Sequence, residues 1–131
     1  MGEMVEFDGI SAYLAQGNGA GVVVLHEWWG LVPHIKDVSD WFAALGFTAL
    51  APDLYRGATA ANTEPDDAEN LLMRLDRERA IAEVAATVTE LRRRGCGKVG
   101  TIGFCMGGAL SLAASAVCPV GNRRLLTASG R

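Results

Sequence analysis

Long hydrophobic runs are missing from this chain, and with them any candidate membrane span. The most apolar helical stretch, Ala109 to Val117, is interrupted by Ser111 and Ser115 and is too short to cross a bilayer. A basic start ahead of a long apolar core is missing too: Met1-Gly2-Glu3-Met4-Val5-Glu6 is acidic and unlike a secretory signal. Met1-Gly2 meets only the first requirement of N-terminal acylation, because the position which that motif reserves for Ser or Thr holds Glu6. The expectation is a cytoplasmic protein with no membrane partner. Positive charge is in short supply, 12 Lys and Arg against 15 Asp and Glu for a net charge of −3. Without a basic patch, nucleic acid is not an expected partner. The one mid-chain cluster, Arg92-Arg93-Arg94, closes a predicted helix, where cations complement the backbone dipole. The 3 cysteines, Cys96, Cys105 and Cys118, have neither metal-ligand spacing nor an even count, so neither a disulfide framework nor a metal site is expected. Cys96 in a turn and Cys118 beside Pro119 are read as structural.

Within 131 residues, half of them apolar, there is room for one globular domain or part of a larger one. Internal repeats and low-complexity segments are absent. Val5-Glu6-Phe7 and Ile10 to Leu14 flank Asp8-Gly9, a dipeptide that favours a two-residue hairpin, so the chain opens antiparallel. After the loop Gly17 to Gly21, Val22-Val23-Val24-Leu25 is a continuous apolar run of the kind buried on both faces of a sheet. From Ile35, the positions Val38, Trp41, Phe42 and Leu45 recur at helical spacing up to Gly46, a C-cap residue. Phe47 to Ala51 forms a second buried strand, stopped by Pro52. Asp53 to Asp67 reads as a long loop over the sheet, of the kind that often carries function. Leu71, Leu72 and Leu75 suggest a short helix, and Ile81, Val84, Ala85, Val88 and Leu91 a longer one closing at Gly95. Alternating strands and helices predict an α/β fold, a mostly parallel sheet with an antiparallel N-terminal hairpin and helices on both faces.

Gly95-Cys96-Gly97-Lys98-Val99-Gly100 has the spacing of a dinucleotide fingerprint, but it precedes a strand where the fingerprint follows one and opens a helix. No cofactor is expected. A more telling motif follows it: Lys98 to Ile102 is a short β-rich run, Ala109 to Ala114 favours helix, and Gly103-Phe104-Cys105-Met106-Gly107-Gly108 joins them. This is the pattern of a nucleophile elbow with cysteine in the place of serine. At so sharp a turn the residues two before and two after the nucleophile crowd strand and helix, and Gly103 and Gly107, lacking Cβ, fit there. The turn aims the first free N–H groups of the helix at whatever Cys105 attacks, and the helix N-terminus favours thiolate over thiol.

His26-Glu27-Trp28-Trp29-Gly30 follows the Val22 to Leu25 strand and falls at the carboxyl end of the sheet, the edge on which the elbow also opens. The loop can offer the N–H of Trp28 beside that of Met106, two donors for a developing oxyanion, and Glu27 can accept the proton of Cys105. The competing reading is that Trp28 and Trp29 are core aromatics and Glu27 a solvated charge.

Taken together, His26-Glu27-Trp28-Trp29-Gly30, Pro52-Asp53-Leu54-Tyr55-Arg56-Gly57, Lys98-Val99-Gly100 and Gly103 to Gly108 resemble, in order and at fitting intervals, the dienelactone hydrolase family of α/β-hydrolases. The likeness runs from about Val5 to Ala114. It implies Cys105 as nucleophile, Glu27 as the carboxylate that helps generate its thiolate, and the amides of Trp28 and Met106 as the oxyanion hole. Small esters or lactones are the implied substrates. The family's substrate-binding arginine has no fixed counterpart: Arg74, Arg77 and Arg79 are the candidates.

Family members continue past the elbow helix through strands whose loops carry an aspartate and a histidine, so this chain is expected to be truncated. Residues 1–116 are read as a partial hydrolase domain and residues 117–131 as a divergent, disordered tail, with 3 arginines, no acid and no strand run. His26 and His34, the 2 histidines of the chain, match neither position nor role of the missing base. Two readings remain open. One is a cysteine-dependent ester or lactone hydrolase known through an incomplete chain. The other is a non-catalytic remnant or binding module that self-associates through a sheet edge left bare beside the elbow strand.

Overall fold

The computed structural model describes residues 2–104 and 125–130. Its first two strands, β1 (Glu3–Phe7) and β2 (Ile10–Ala15), form the expected hairpin. Asp8 and Gly9 both hold positive φ, 50° and 76°, as the tight turn between right-twisted strands demands. Then follow β3 (Gly21–Leu25), α1 (Pro33–Ala44), β4 (Thr48–Pro52), α2 (Pro65–Arg74), α3 (Arg77–Arg93), β5 (Val99–Phe104) and β6 (Leu125–Gly130). Among the described residues, 6 strands make one sheet in the order β1-β2-β4-β3-β5-β6. Pairing is antiparallel from β1 through β2 to β4, and parallel across β4, β3, β5 and β6.

Every residue of β3 and β4 is buried, because a helix covers each side of them. On one face Val23, Leu25 and Leu50 pack with Ala80, Val84, Val88 and Leu91 of α3. On the other, Val22, Val24, Ala49 and Ala51 meet Ile35, Val38 and Phe42 of α1. The alternation along each strand is the two-residue period of a pleated sheet, here apolar in both phases.

Trp41 and Leu45 are 59% and 57% exposed, while Phe42 faces the sheet, consecutive helical residues pointing about 100° apart, and the Trp41 ring lies edge-on against that of Phe42 at 5.1 Å. Two expectations are corrected. The long loop after β4 ends sooner than predicted, because Pro65 occupies the first turn of α2 with Asp66 and Asp67 beside it, a start signal that outweighs the polar composition of the segment. And residues 125–130 of the supposed tail form β6, in register with β5 from Val99↔Leu125 to Phe104↔Gly130. Ladder bonds belong to the backbone, so a strand beside β5 needs no apolar run of its own. The edge expected to be bare beside β5 is therefore paired, and among the described residues the outer strands of the sheet are β1 and β6. Among the described residues no helix is long and apolar enough to cross a membrane.

Candidate active site

The site is assembled by three strands that end on the same edge. In the parallel ladder of β3 and β5, Leu25 pairs with Gly103. Glu27 and Cys105 each stand two residues further along the sequence than a member of that rung. Gly103 is buried at this rung. Cys105, Met106 and Gly107 themselves lie outside the described residues, as does Cys118.

After β3 the chain turns tightly, the Gly30 N–H donating to the Glu27 carbonyl at 3.1 Å. Gly30 has φ +97°, and a Cβ there would stand 2.7 Å from the Ala58 carbonyl oxygen, so only glycine lets this turn lie against the loop that follows β4. That second loop is held in place from within. The Asp53 carboxylate accepts from the Tyr55 N–H at 3.1 Å and the Gly57 N–H at 2.7 Å, while Arg56 and Gly57 adopt φ of 53° and 93°. The segment Pro52 to Gly57 is thus a self-capped turn.

Two hydrogen bonds join the loops. The Ala60 N–H donates to the Trp29 carbonyl at 2.9 Å, and the Leu54 N–H donates to His26 Nε2 at 3.1 Å. His26 is fully buried, its Nδ1 is 2.7 Å from the Glu27 carbonyl oxygen, and its ring stands 4.8 Å from that of Tyr55. Burial holds the imidazole pKa below its usual value, against the opposing pull of the Glu27 carbonyl and the Asp53 charge. Burial likewise pushes the Tyr55 hydroxyl up to about 12.

Between the loops lies a cavity of about 450 Å³ lined by Glu27, Trp29, Val32, Pro33, His34, Ala60, Ala61 and Asn62. Glu27 and Trp29, both half-buried, face it together, and the Trp28 ring meets that of Trp29 edge-on at 5.4 Å. The Glu27 side chain makes no hydrogen bond or ion pair among the described residues. The two tryptophans are neither core residues nor fully solvated, so the bland reading of this segment does not hold for them. His34 and Asn62 were not singled out from the sequence as lining residues. Only the unusual length of the segment from Asp53 onward pointed at Asn62, and nothing pointed at His34.

The arginine candidates sit elsewhere. Arg79 donates from Nη2 to the Leu54 carbonyl at 3.0 Å and lies 3.7 Å from Glu83. Together with Arg74, Arg56, Tyr55 and Leu71 it lines a separate cavity of about 250 Å³. Arg77 opens α3 and is exposed. None of the three lines the cavity beside Glu27. No group of three or more potential metal ligands occurs among the described residues.

A mixed sheet in this strand order, parallel from β4 to β6 and with a carboxylate-bearing loop at the end of β3, is the N-terminal part of an α/β-hydrolase fold. The chain belongs to the dienelactone hydrolase family, whose model matches residues 10–122. It is 42% identical over 127 residues to Protein usf of Aquifex pyrophilus, covering 86% of this chain and 54% of that protein. Over 134 residues it is 40% identical to a putative carboxymethylenebutenolidase of Aquifex aeolicus, covering 91% and 57%. In three dimensions it resembles a dienelactone hydrolase-like promiscuous phosphotriesterase from metagenomic libraries, with TM-score 0.72, 27% identity and coverage of 99% and 59%. A putative dienelactone hydrolase from Klebsiella pneumoniae matches with TM-score 0.74 at 23% identity, covering 89% and 55%. The chain spans a little over half the length of these relatives.

Proposed function

We propose that this chain carries the nucleophile-bearing half of a hydrolase of small carboxylic esters or lactones that works through Cys105. The observation that carries the reading is the Leu25↔Gly103 rung, which brings the elbow strand and the Glu27 loop to one edge of the sheet beside a cavity of about 450 Å³. Family membership and the carboxymethylenebutenolidase relatives support the substrate class.

In this mechanism Glu27 accepts the thiol proton and the Cys105 thiolate attacks the ester carbonyl carbon. The carbonyl oxygen takes the negative charge, met by the N–H groups of Trp28 and Met106. The C–O bond then breaks, the alkoxide oxygen takes the proton held by Glu27 and becomes a hydroxyl, free in an ester and still attached to the acyl chain in a lactone, and a thioester remains on Cys105. Cleavage of the thioester requires a water activated by a general base. His26, with both ring nitrogens engaged by backbone groups, is unsuited to that task. The small-molecule ester or lactone is the partner this reading calls for.

A nitrophenyl ester tests it. The chain is expected to release a burst of nitrophenolate close to one equivalent, followed by slow turnover, and Cys105→Ala to release none above the buffer rate. Equal release by both proteins would reject the nucleophile assignment.

A further inference from the structure

The two contacts of His26 fix its protonation state. Nδ1 lies 2.7 Å from a carbonyl oxygen, that of Glu27, and Nε2 lies 3.1 Å from a backbone nitrogen, that of Leu54. A carbonyl only accepts and a backbone N–H only donates, so Nδ1 carries the hydrogen and Nε2 the lone pair. Protonating Nε2 would set two N–H groups against each other and leave a charge where the side chain is 0% exposed. The Tyr55 ring lies tilted against the imidazole at 4.8 Å, and Asp53 spends its carboxylate on the Tyr55 and Gly57 amides instead of bonding the ring.

The Glu27 carbonyl and the Trp28 N–H belong to one planar peptide unit and point in opposite directions. The oxygen is held twice, by the His26 ring and by the Gly30 N–H at 3.1 Å. Trp28 N–H is thereby turned away from the imidazole, and it donates to no group among the described residues. A flip of this peptide would replace the donor by a carbonyl oxygen and lose both bonds. The imidazole is anchored in turn, because Leu54, whose N–H donates to it, is itself held on its carbonyl oxygen, in the next peptide unit, by Arg79 Nη2 at 3.0 Å. A continuous line of hydrogen bonds thus runs from α3 through Leu54 and His26 to the Glu27 carbonyl.

We propose that His26 is a positioning residue whose neutral, Nδ1-protonated ring locks the Glu27–Trp28 peptide with the Trp28 N–H preset as an oxyanion donor. Only the last step, the use of that donor, rests on the ester-hydrolase reading. His26 shuttles no proton. It supplies a rigid strut of the right length, with a donor at one end and an acceptor at the other.

The test uses the 131-residue chain and two variants. Glutamine can reproduce both bonds, its amide N–H reaching the Glu27 carbonyl and its oxygen accepting from Leu54, and it does not titrate. Leucine fills the same space and makes neither bond. Nitrogen-15 correlation spectra of the wild-type ring are expected to show hydrogen on Nδ1 and none on Nε2 at neutral pH. In His26→Leu the Glu27 carbonyl carbon resonance should shift and the Leu54 amide should exchange faster, with His26→Gln close to wild type in both. The nitrophenolate burst should slow about a hundredfold in His26→Leu, the usual loss for one oxyanion donor, with the half-saturating ester concentration unchanged, and recover largely in His26→Gln. Hydrogen on Nε2, or a charged ring at neutral pH, overturns the proposal whether or not the chain hydrolyses esters. An unchanged burst in His26→Leu despite displaced Glu27 and Leu54 signals overturns the preset donor. A wild-type chain that gives no burst rejects the hydrolase reading, and the ring and carbonyl measurements still decide the lock. Should His26→Leu fail to fold, the wild-type ring spectrum and His26→Gln carry the decision.

Discussion

At the scale of single residues, Glu27 and His26 are neighbours with opposite fates. Glu27 lines the cavity and its carboxylate has no partner among the described residues, while His26 is enclosed and saturated. Replacing Glu27 by Gln keeps the shape and removes the proton acceptor, so the nitrophenolate burst at neutral pH is expected to slow about a hundredfold or more. Raising the pH should restore much of it as the thiol ionises unaided, and a flat pH response would count against the assigned role. The lowered pKa of His26 has its own consequence for stability. The unfolded chain, titrating near the ordinary 6.5, binds a proton that the folded one refuses. The stabilising contribution is therefore complete above that value and drains away as the pH falls from it toward the depressed folded pKa. Urea midpoints measured between about pH 7.5 and 5 should fall more steeply for wild type than for His26→Gln. These roles were unequally legible. Glu27 could be read from its place after a buried strand. The lock formed by His26 could not, since its partners are main-chain atoms of residues 27 and 54 and no side-chain pattern announces them.

Among elements, the turn after β3 depends on one glycine. Gly30→Ala would impose a side chain on φ +97° and bring its Cβ to 2.7 Å from the Ala58 oxygen, a backbone atom with little room to yield. The expected cost is about 1–3 kcal/mol in a denaturant titration, together with a slower burst, because the displaced turn carries Glu27 and Trp28 with it. If stability and burst both stay at wild-type values, the close packing of these two loops is not what holds the site. Strand positions were legible throughout β1 to β5, where apolar runs and turn dipeptides agree with the observed bounds. Helix α2 was legible only in its second half, since its first turn is written in Pro65, Asp66 and Asp67, residues that loops also favour. β6 was not legible at all: Leu125 to Gly130 has neither alternation nor β-branched density, and its place comes from the ladder that β5 offers. The elbow itself, at Cys105 to Gly107, was legible as sequence and lies outside the described residues.

For the molecule as a whole, the sheet is the stabilising unit and its centre the most sensitive part. Leu25→Ala would empty a fully buried site facing α3, at an expected cost of about 2–5 kcal/mol by urea denaturation. Removing residues 125–131 would strip β5 of its outer partner and leave a row of unpaired N–H and C=O groups. We propose self-association through that edge, so the shortened chain should elute as larger species in size-exclusion chromatography where the 131-residue chain elutes smaller. Identical elution would argue against it.

The order β1-β2-β4-β3-β5-β6 also governs when structure can appear during synthesis. The first hairpin closes through the local turn at Asp8-Gly9, and needs nothing downstream. β3 is different: residues 21–25 find one neighbour at 48–50 and the other only at 99–103. A ribosome adding about 5–20 residues per second leaves that apolar strand open on one side for several seconds. Over that interval Val22 to Leu25 is the stretch a chaperone would hold, and the arrival of β5 both gives β3 its second neighbour and brings Gly103 beside Leu25. Closing β3 on its second side and setting Gly103 next to Leu25 are, for this topology, one event in time.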